Sequence, residues 1–114
     1  MHELGIVTHV IKTLESVAEE NNVTHIGSVT LSVGEVSGII NEQMIDCWDY
    51  FKVRKDLVKD AVLKLEPIPA VTYCTNCENL YETVKYGKTC PQCGSGETYL
   101  VQGNECLIKE IEAE

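Results

Sequence analysis

The sequence is short of positive charge. Nine Lys and Arg stand against eighteen Asp and Glu, a formal net charge of −9. That balance argues against nucleic acid, where affinity rests on neutralising phosphates with Lys and Arg, and against anionic membranes. It suits a cation or a basic protein partner. No apolar run approaches the ~20 residues of a membrane span. The first residues lack a basic region followed by an apolar stretch and a cleavage site. A cytoplasmic protein is therefore expected. Internal repeats, low-complexity tracts, a phosphate-binding loop, a nucleophile–base pair and a paired acidic motif are all missing. No enzymatic activity is expected, and the scattered carboxylates read as solvated faces. A length of 114 residues fits one domain with a small appendage.

What is abundant is cysteine in pairs. Four of the six cysteines form Cys74-x2-Cys77 and Cys90-x2-Cys93. In a chain without a secretory signal such pairs read as metal ligands in a reducing compartment, not as a disulfide framework. Two such turns each bring two sulfurs within ~4 Å, which suits tetrahedral zinc with Zn–S of about 2.3 Å. Four thiolates leave no open coordination position, so the metal is structural; a rubredoxin-like iron site would use the same ligands. Tyr73 and Asn76 flank the first turn, and Pro91, Gly94 and Gly96 the second. The surrounding segment, 71–97, has few aliphatic side chains, and ~27 residues cannot build an adequate core without a staple. Its charges (Glu78, Glu82, Lys85, Lys88 and Glu97) are mixed and form no basic stripe. The lone Cys47 and Cys106 read as small buried hydrophobes.

A second, open metal site is suggested at the start, Met1-His2-Glu3. His in second position disfavours removal of the initiator Met. The Met1 amine, the His2 amide nitrogen and the His2 imidazole lie close enough along the chain to close adjacent chelate rings on one metal. Nitrogen-rich tetragonal sites suit Ni(II) or Cu(II), whereas Zn(II) prefers tetrahedral sites. Glu3 can add its amide nitrogen or its carboxylate. The plainer reading is that His2 is an exposed terminal residue and that Glu3 favours the positive end of a helix.

Between these sites the pattern predicts an α+β domain. Leu4, Val7, Val10, Ile11, Leu14, Val17 and Ala18 recur at helical spacing over 3–21. His9 falls opposite this stripe and, at ~1.5 Å rise per residue, about 10 Å from His2, too far to share its metal. Asn21-Asn22 ends the helix. Residues 25–33 alternate as a strand with Val29, Leu31 and Val33 on one face and His25 exposed at its start. Asn41 is the expected N-cap of a second helix, 42–55, burying Met44, Trp48 and Phe51. Residues 61–66 alternate as another strand, which Pro67 and Pro69 should end. Residues 98–111 return to strand character, interrupted at Gly103-Asn104 by a turn or bulge. The expected fold is a small three-stranded sheet packed with two helices, plus an inserted zinc-ribbon-like domain. The boundaries are 1–70 with 98–114 for the α/β domain that carries the terminal site and 71–97 for the zinc-binding domain.

With these features together, the chain resembles the HypA/HybF family of hydrogenase nickel-incorporation proteins. The resemblance spans essentially the whole chain. It rests on Met1-His2-Glu3-Leu4, Gly34-Glu35-Val36-Ser37-Gly38, both cysteine pairs, and Gln102-Gly103-Asn104-Glu105-Cys106-Leu107. It implies a nickel metallochaperone that helps insert Ni(II) into the large subunit of [NiFe] hydrogenase together with the GTPase HypB, and in some organisms serves urease maturation as well. It implies His2 as principal nickel ligand with backbone nitrogen near Met1 and support from Glu3, and Cys74, Cys77, Cys90 and Cys93 as zinc ligands. Monomer and homodimer are both compatible with it. Some members carry His beside the zinc cysteines; here Glu78 and Gly94 stand in those places, so no His-mediated switching of the zinc is expected. Glu35 and Glu42 are further candidates to reach the nickel. The competing reading is a zinc-ribbon adaptor that binds protein without delivering a transition metal.

Overall fold

The computed structural model describes residues 2–113, and of His2 the backbone alone. The elements run α1 (His2–Glu20), β1 (Ile26–Gly34), α2 (Asn41–Lys52), β2 (Val62–Ile68), β3 (Val71–Cys74), β4 (Leu80–Glu82), the single-turn α3 (Thr83–Tyr86), β5 (Thr98–Gln102) and β6 (Cys106–Ala113). Two three-stranded sheets result, ordered β2-β1-β6 and β4-β3-β5. This is the expected α+β class. By contacts the chain divides into two compact units, one of residues 1–31, 39–66 and 107–114, the other of 32–38 and 67–106.

The first unit is built as the apolar stripe of α1 dictates. Val7, Val10, Ile11, Leu14 and Ala18 are buried, while Val17 at the margin is exposed. His9 faces solvent. The helix stops in a Schellman arrangement: Asn22 adopts φ 55°, Val23 N–H donates to Ala18 O, and Asn22 N–H to Glu19 O. α1 packs against α2, which buries Met44 and Trp48. The Trp48 indole N–H donates to Ala61 O at 3.0 Å, so its one polar atom is satisfied inside the core. Val29 and Leu31 of β1 complete the buried set together with Val58 and Leu63. On the opposite face of β1, Ser28 donates to the Glu112 carboxylate at 2.7 Å, and Lys64 and Lys109 pair with Glu112 and Glu66.

Three local expectations are revised. α2 begins at Asn41 itself, with Ile40 as N-cap and no side-chain cap hydrogen bond from it. β2 runs through Pro67 to Ile68, which an outer strand tolerates because one row of its N–H groups needs no partner. His25 is half-buried, not fully exposed.

In the second unit β3 is central. It pairs antiparallel with β4 (Thr72 opposite Tyr81) and with β5 (Tyr73 opposite Tyr99). The segment 98–111 is thus two strands separated at Gly103–Asn104, and β5 belongs to the sheet of β3. Gly103 has φ 118°, and a Cβ there would lie 2.5 Å from Ala70 Cα. A Cβ on Gly34 would strike Gly103 O at 2.0 Å. Gly34 N–H donates to Glu105 O, Val36 N–H to Gly103 O, and the Glu35 carboxylate accepts from Ala70 N–H at 2.7 Å. The two glycine-bearing motifs at 34–38 and 102–107 therefore have a packing role: they close on each other.

Candidate metal centre

Each cysteine pair sits in a tight turn of the same design. In the first, Cys74 N–H donates to Asn79 O, and Glu78 N–H to Cys74 O. In the second, Cys90 N–H donates to Ser95 O, and Gly94 N–H to Cys90 O. The residue after each pair takes a left-handed conformation, φ 62° at Glu78 and 75° at Gly94. Glycine adopts that region freely and glutamate does so at a cost, so the turns match in geometry but not in strain. This curled backbone turns both side chains of each pair inward.

The four Sγ atoms all lie within 4.8 Å of one another. Cys74 Sγ is 3.6 Å from Cys93 Sγ, and Cys77 Sγ is 3.5 Å from Cys90 Sγ. A tetrahedral ion ~2.3 Å from each sulfur needs sulfurs roughly 3.8 Å apart, so the donor set fits a zinc-sized ion with four thiolates. Cys74 and Cys90 are buried and pack with Tyr81 and the partly buried Cys77; Cys93 is exposed.

Amide donors set the electrostatics. Asn76 Nδ2 donates to Cys93 Sγ at 3.5 Å and Asn79 Nδ2 to Cys90 Sγ at 3.8 Å, so the first turn serves the sulfurs of the second. Burial alone would raise Cys90, but the N–H groups of Cys93 and Gln92, with Cys77 and Asn79, hold it down at about 6. The Asn76 amide and then the Ser95 N–H lower Cys93. Burial, reinforced by its bonds to the other three sulfurs, pushes the Cys77 thiol up to about 12 against the Asn79 N–H. Negative charge thus gathers on the second pair. A dication, by attracting all four thiolates, would remove that asymmetry. Asn79 was not singled out from sequence; an amide two residues beyond a C-x2-C turn is the signal that points to it.

At the other candidate site, Met1 and the His2 side chain lie outside the described residues. Glu3 is buried, 5% exposed, and its Oε2 accepts from Ile40 N–H at 3.1 Å. The carboxylate is thereby fixed at the start of α2, supplying from 37 residues away the side-chain cap that the N-cap residue Ile40 cannot give. Glu42 lies in the first turn of α2, whereas Glu35 is engaged with Ala70.

The family profile described as "Hydrogenase/urease nickel incorporation, metallochaperone, hypA" matches residues 1–113. The chain belongs to the HypA family. It is 31% identical over 114 residues to the hydrogenase maturation factor HypA of Geobacter sulfurreducens, covering 100% of both chains. It is 30% identical to the HypA of Dehalococcoides mccartyi strain 195, covering 100% of this chain and 95% of that one. Among solved structures, one described as the solution structure of HypA protein aligns with a TM-score of 0.77 at 26% identity, over 100% of this chain and 97% of the other. The Ni metallochaperone HypA from Helicobacter pylori aligns at 0.76 and 23% identity, over 97% and 96%, and shares the fold. The family is one of nickel metallochaperones in hydrogenase maturation. Among the described residues no helix is long and apolar enough to cross a membrane.

Proposed function

We propose that this chain binds Ni(II) at its N-terminal segment and passes it on during maturation of [NiFe] hydrogenase. The observation that carries this reading is the whole-length family match on a chain that opens Met1-His2-Glu3 at the first turn of α1. The first N–H groups of an α-helix have no intrahelical acceptor. Nickel can therefore take backbone nitrogen at His2 and Glu3 without breaking a helical hydrogen bond. The His2 imidazole is the principal ligand, with the Met1 nitrogen beside it. Glu3 contributes its amide nitrogen while its carboxylate holds the first turn to the start of α2. Few labile ligands at a helix start suit a cargo that is handed over by ligand exchange, which is transfer and not catalysis.

Cys74, Cys77, Cys90 and Cys93 hold structural zinc in this reading, since a saturated four-thiolate site neither opens for substrate nor releases its ion readily. The receiving partners are the GTPase HypB and the hydrogenase large subunit, in the cytoplasm. Urease, named with hydrogenase in the family description, is a second client for the same cargo.

A cell lacking this protein and limited for nickel provides the test. The native chain is expected to restore hydrogenase activity and His2→Ala to fail, with excess nickel in the medium closing the gap between them. If His2→Ala restores activity as well as the native chain under limiting nickel, the terminal site is wrong and the zinc-ribbon adaptor becomes the better reading.

A further inference from the structure

The sheet of the second unit has one face covered and one open. On the covered face lie Thr72, Cys74 and Tyr81, all buried. On the other, register puts Leu80, Tyr73 and Tyr99 in a single cross-strand row, and the two tyrosine rings stand 5.4 Å apart. Val71 follows two residues along β3, where a register irregularity sets it opposite Gln102 beside the unpaired Val101. Leu80, Tyr99 and Val101 are 59%, 55% and 50% exposed. An apolar row this open on so small a unit is unusual for a solvated sheet face, where polar residues alternate outward.

The charge around it is mostly negative. β3, β4 and β5 contain no Lys or Arg, and Glu82 shares the open face opposite Val71. Val71 and Glu82 also line a hollow of about 720 Å³ whose other walls include Glu35, Pro69 and Val84, with Lys85 its one cation among the described residues. Across the unit, Glu35, Glu78, Glu82, Glu97 and Glu105 oppose Lys85 and Lys88, and four metal-bound thiolates would add further negative charge.

We propose that this face docks a basic, apolar segment of a protein partner, its aliphatic side chains covering Leu80 and Val101 and its Arg or Lys groups meeting Tyr73, Tyr99 and Glu82. Exposed tyrosine faces attract guanidinium and ammonium groups. A second copy of this chain would bring the same negative charge, and nucleic acid would bring phosphates, so both are disfavoured on this surface. The site is independent of where nickel binds.

The test selects binders from a displayed random-peptide library against the zinc-loaded full chain, with Leu80→Ser/Tyr99→Ser as counter-target. Retained zinc in the variant shows that the metal site, on the other face of the sheet with Cys74 and Tyr81, is still formed. Enriched peptides should combine Arg or Lys with apolar residues, lose about tenfold or more in affinity on the variant, as central aromatic anchors do, and weaken as salt rises. Acidic binders, binders indifferent to the variant, no enrichment, self-association through this face, or tighter binding of a single-stranded oligonucleotide than of any peptide would each overturn the proposal.

Discussion

In the first unit order comes from apolar side chains. Leu14, Met44, Trp48 and Val58 are all 1% exposed or less, and the one polar atom of Trp48 is bonded inside. In the second, the fully buried side chains are Cys74 and Cys90, and the open sheet face leaves its largest apolar groups outside. One unit has a core that stands by itself, and the other has a core made of ligands. In the proposed reading the permanent metal belongs to the ligand-built part and the exchangeable one to the part with an apolar core.

The largest expected effect follows from removing the permanent metal. Structural zinc supplies on the order of 10–16 kcal/mol in small zinc modules at neutral pH. Chelation should collapse the amide dispersion of 71–97 in a ¹H–¹⁵N spectrum while Trp48 fluorescence stays native-like. Parallel loss of both signals would erase the distinction between the units. Next is Trp48→Ala, which opens the apolar core and takes the indole donor from Ala61 O, leaving that carbonyl to Lys52 Nζ; about 3–5 kcal/mol should be lost, seen as a lower urea midpoint by far-UV circular dichroism, with bound zinc unchanged at low urea.

Smaller effects sharpen the same contrast. Glu3→Ala should cost about 1–3 kcal/mol by stripping a buried acceptor from the start of α2, whereas Glu3→Gln, which keeps an oxygen for Ile40 N–H, should cost less in the same denaturation. Smallest is Glu78→Gly. It relieves a left-handed glutamate in the first cysteine turn and should raise zinc-unit stability by up to about 1 kcal/mol, measured as zinc affinity by chelator competition. A loss of affinity there would mean the Glu78 side chain, not its backbone, matters to the site.

The parts of this molecule that were legible in the sequence are those whose partners lie nearby along the chain. The stripe from Val7 to Ala18 specifies α1 because i, i+3 and i+4 residues share a face. The cysteine turns declare themselves because each closes over a few residues, and the structure does bring all four sulfurs together. What could not be read depends on distant partners. Glu3 caps α2 from the far end of the domain, so Asn41 looked like the natural N-cap. Pro67 is compatible with a strand only because β2 is outermost, which is a property of sheet order. β5 and β6 looked like one strand because Gly103 marks a break without saying which sheet each half joins. The Gly34 and Gly103 motifs carried the resemblance, yet only the fold shows that they meet.

Calorimetry of Ni(II) binding to the zinc-loaded protein with its native start, beside His2→Ala and a version extended by a few residues before Met1, bears most closely on the claim that one chain holds a closed four-thiolate site and an open terminal one. Terminal coordination predicts that the native chain binds nickel, that both altered chains lose it, and that native affinity falls as pH drops below the His reference of about 6.5, where the imidazole takes a proton instead of the metal. Equal binding by all three chains would contradict it and place the nickel elsewhere.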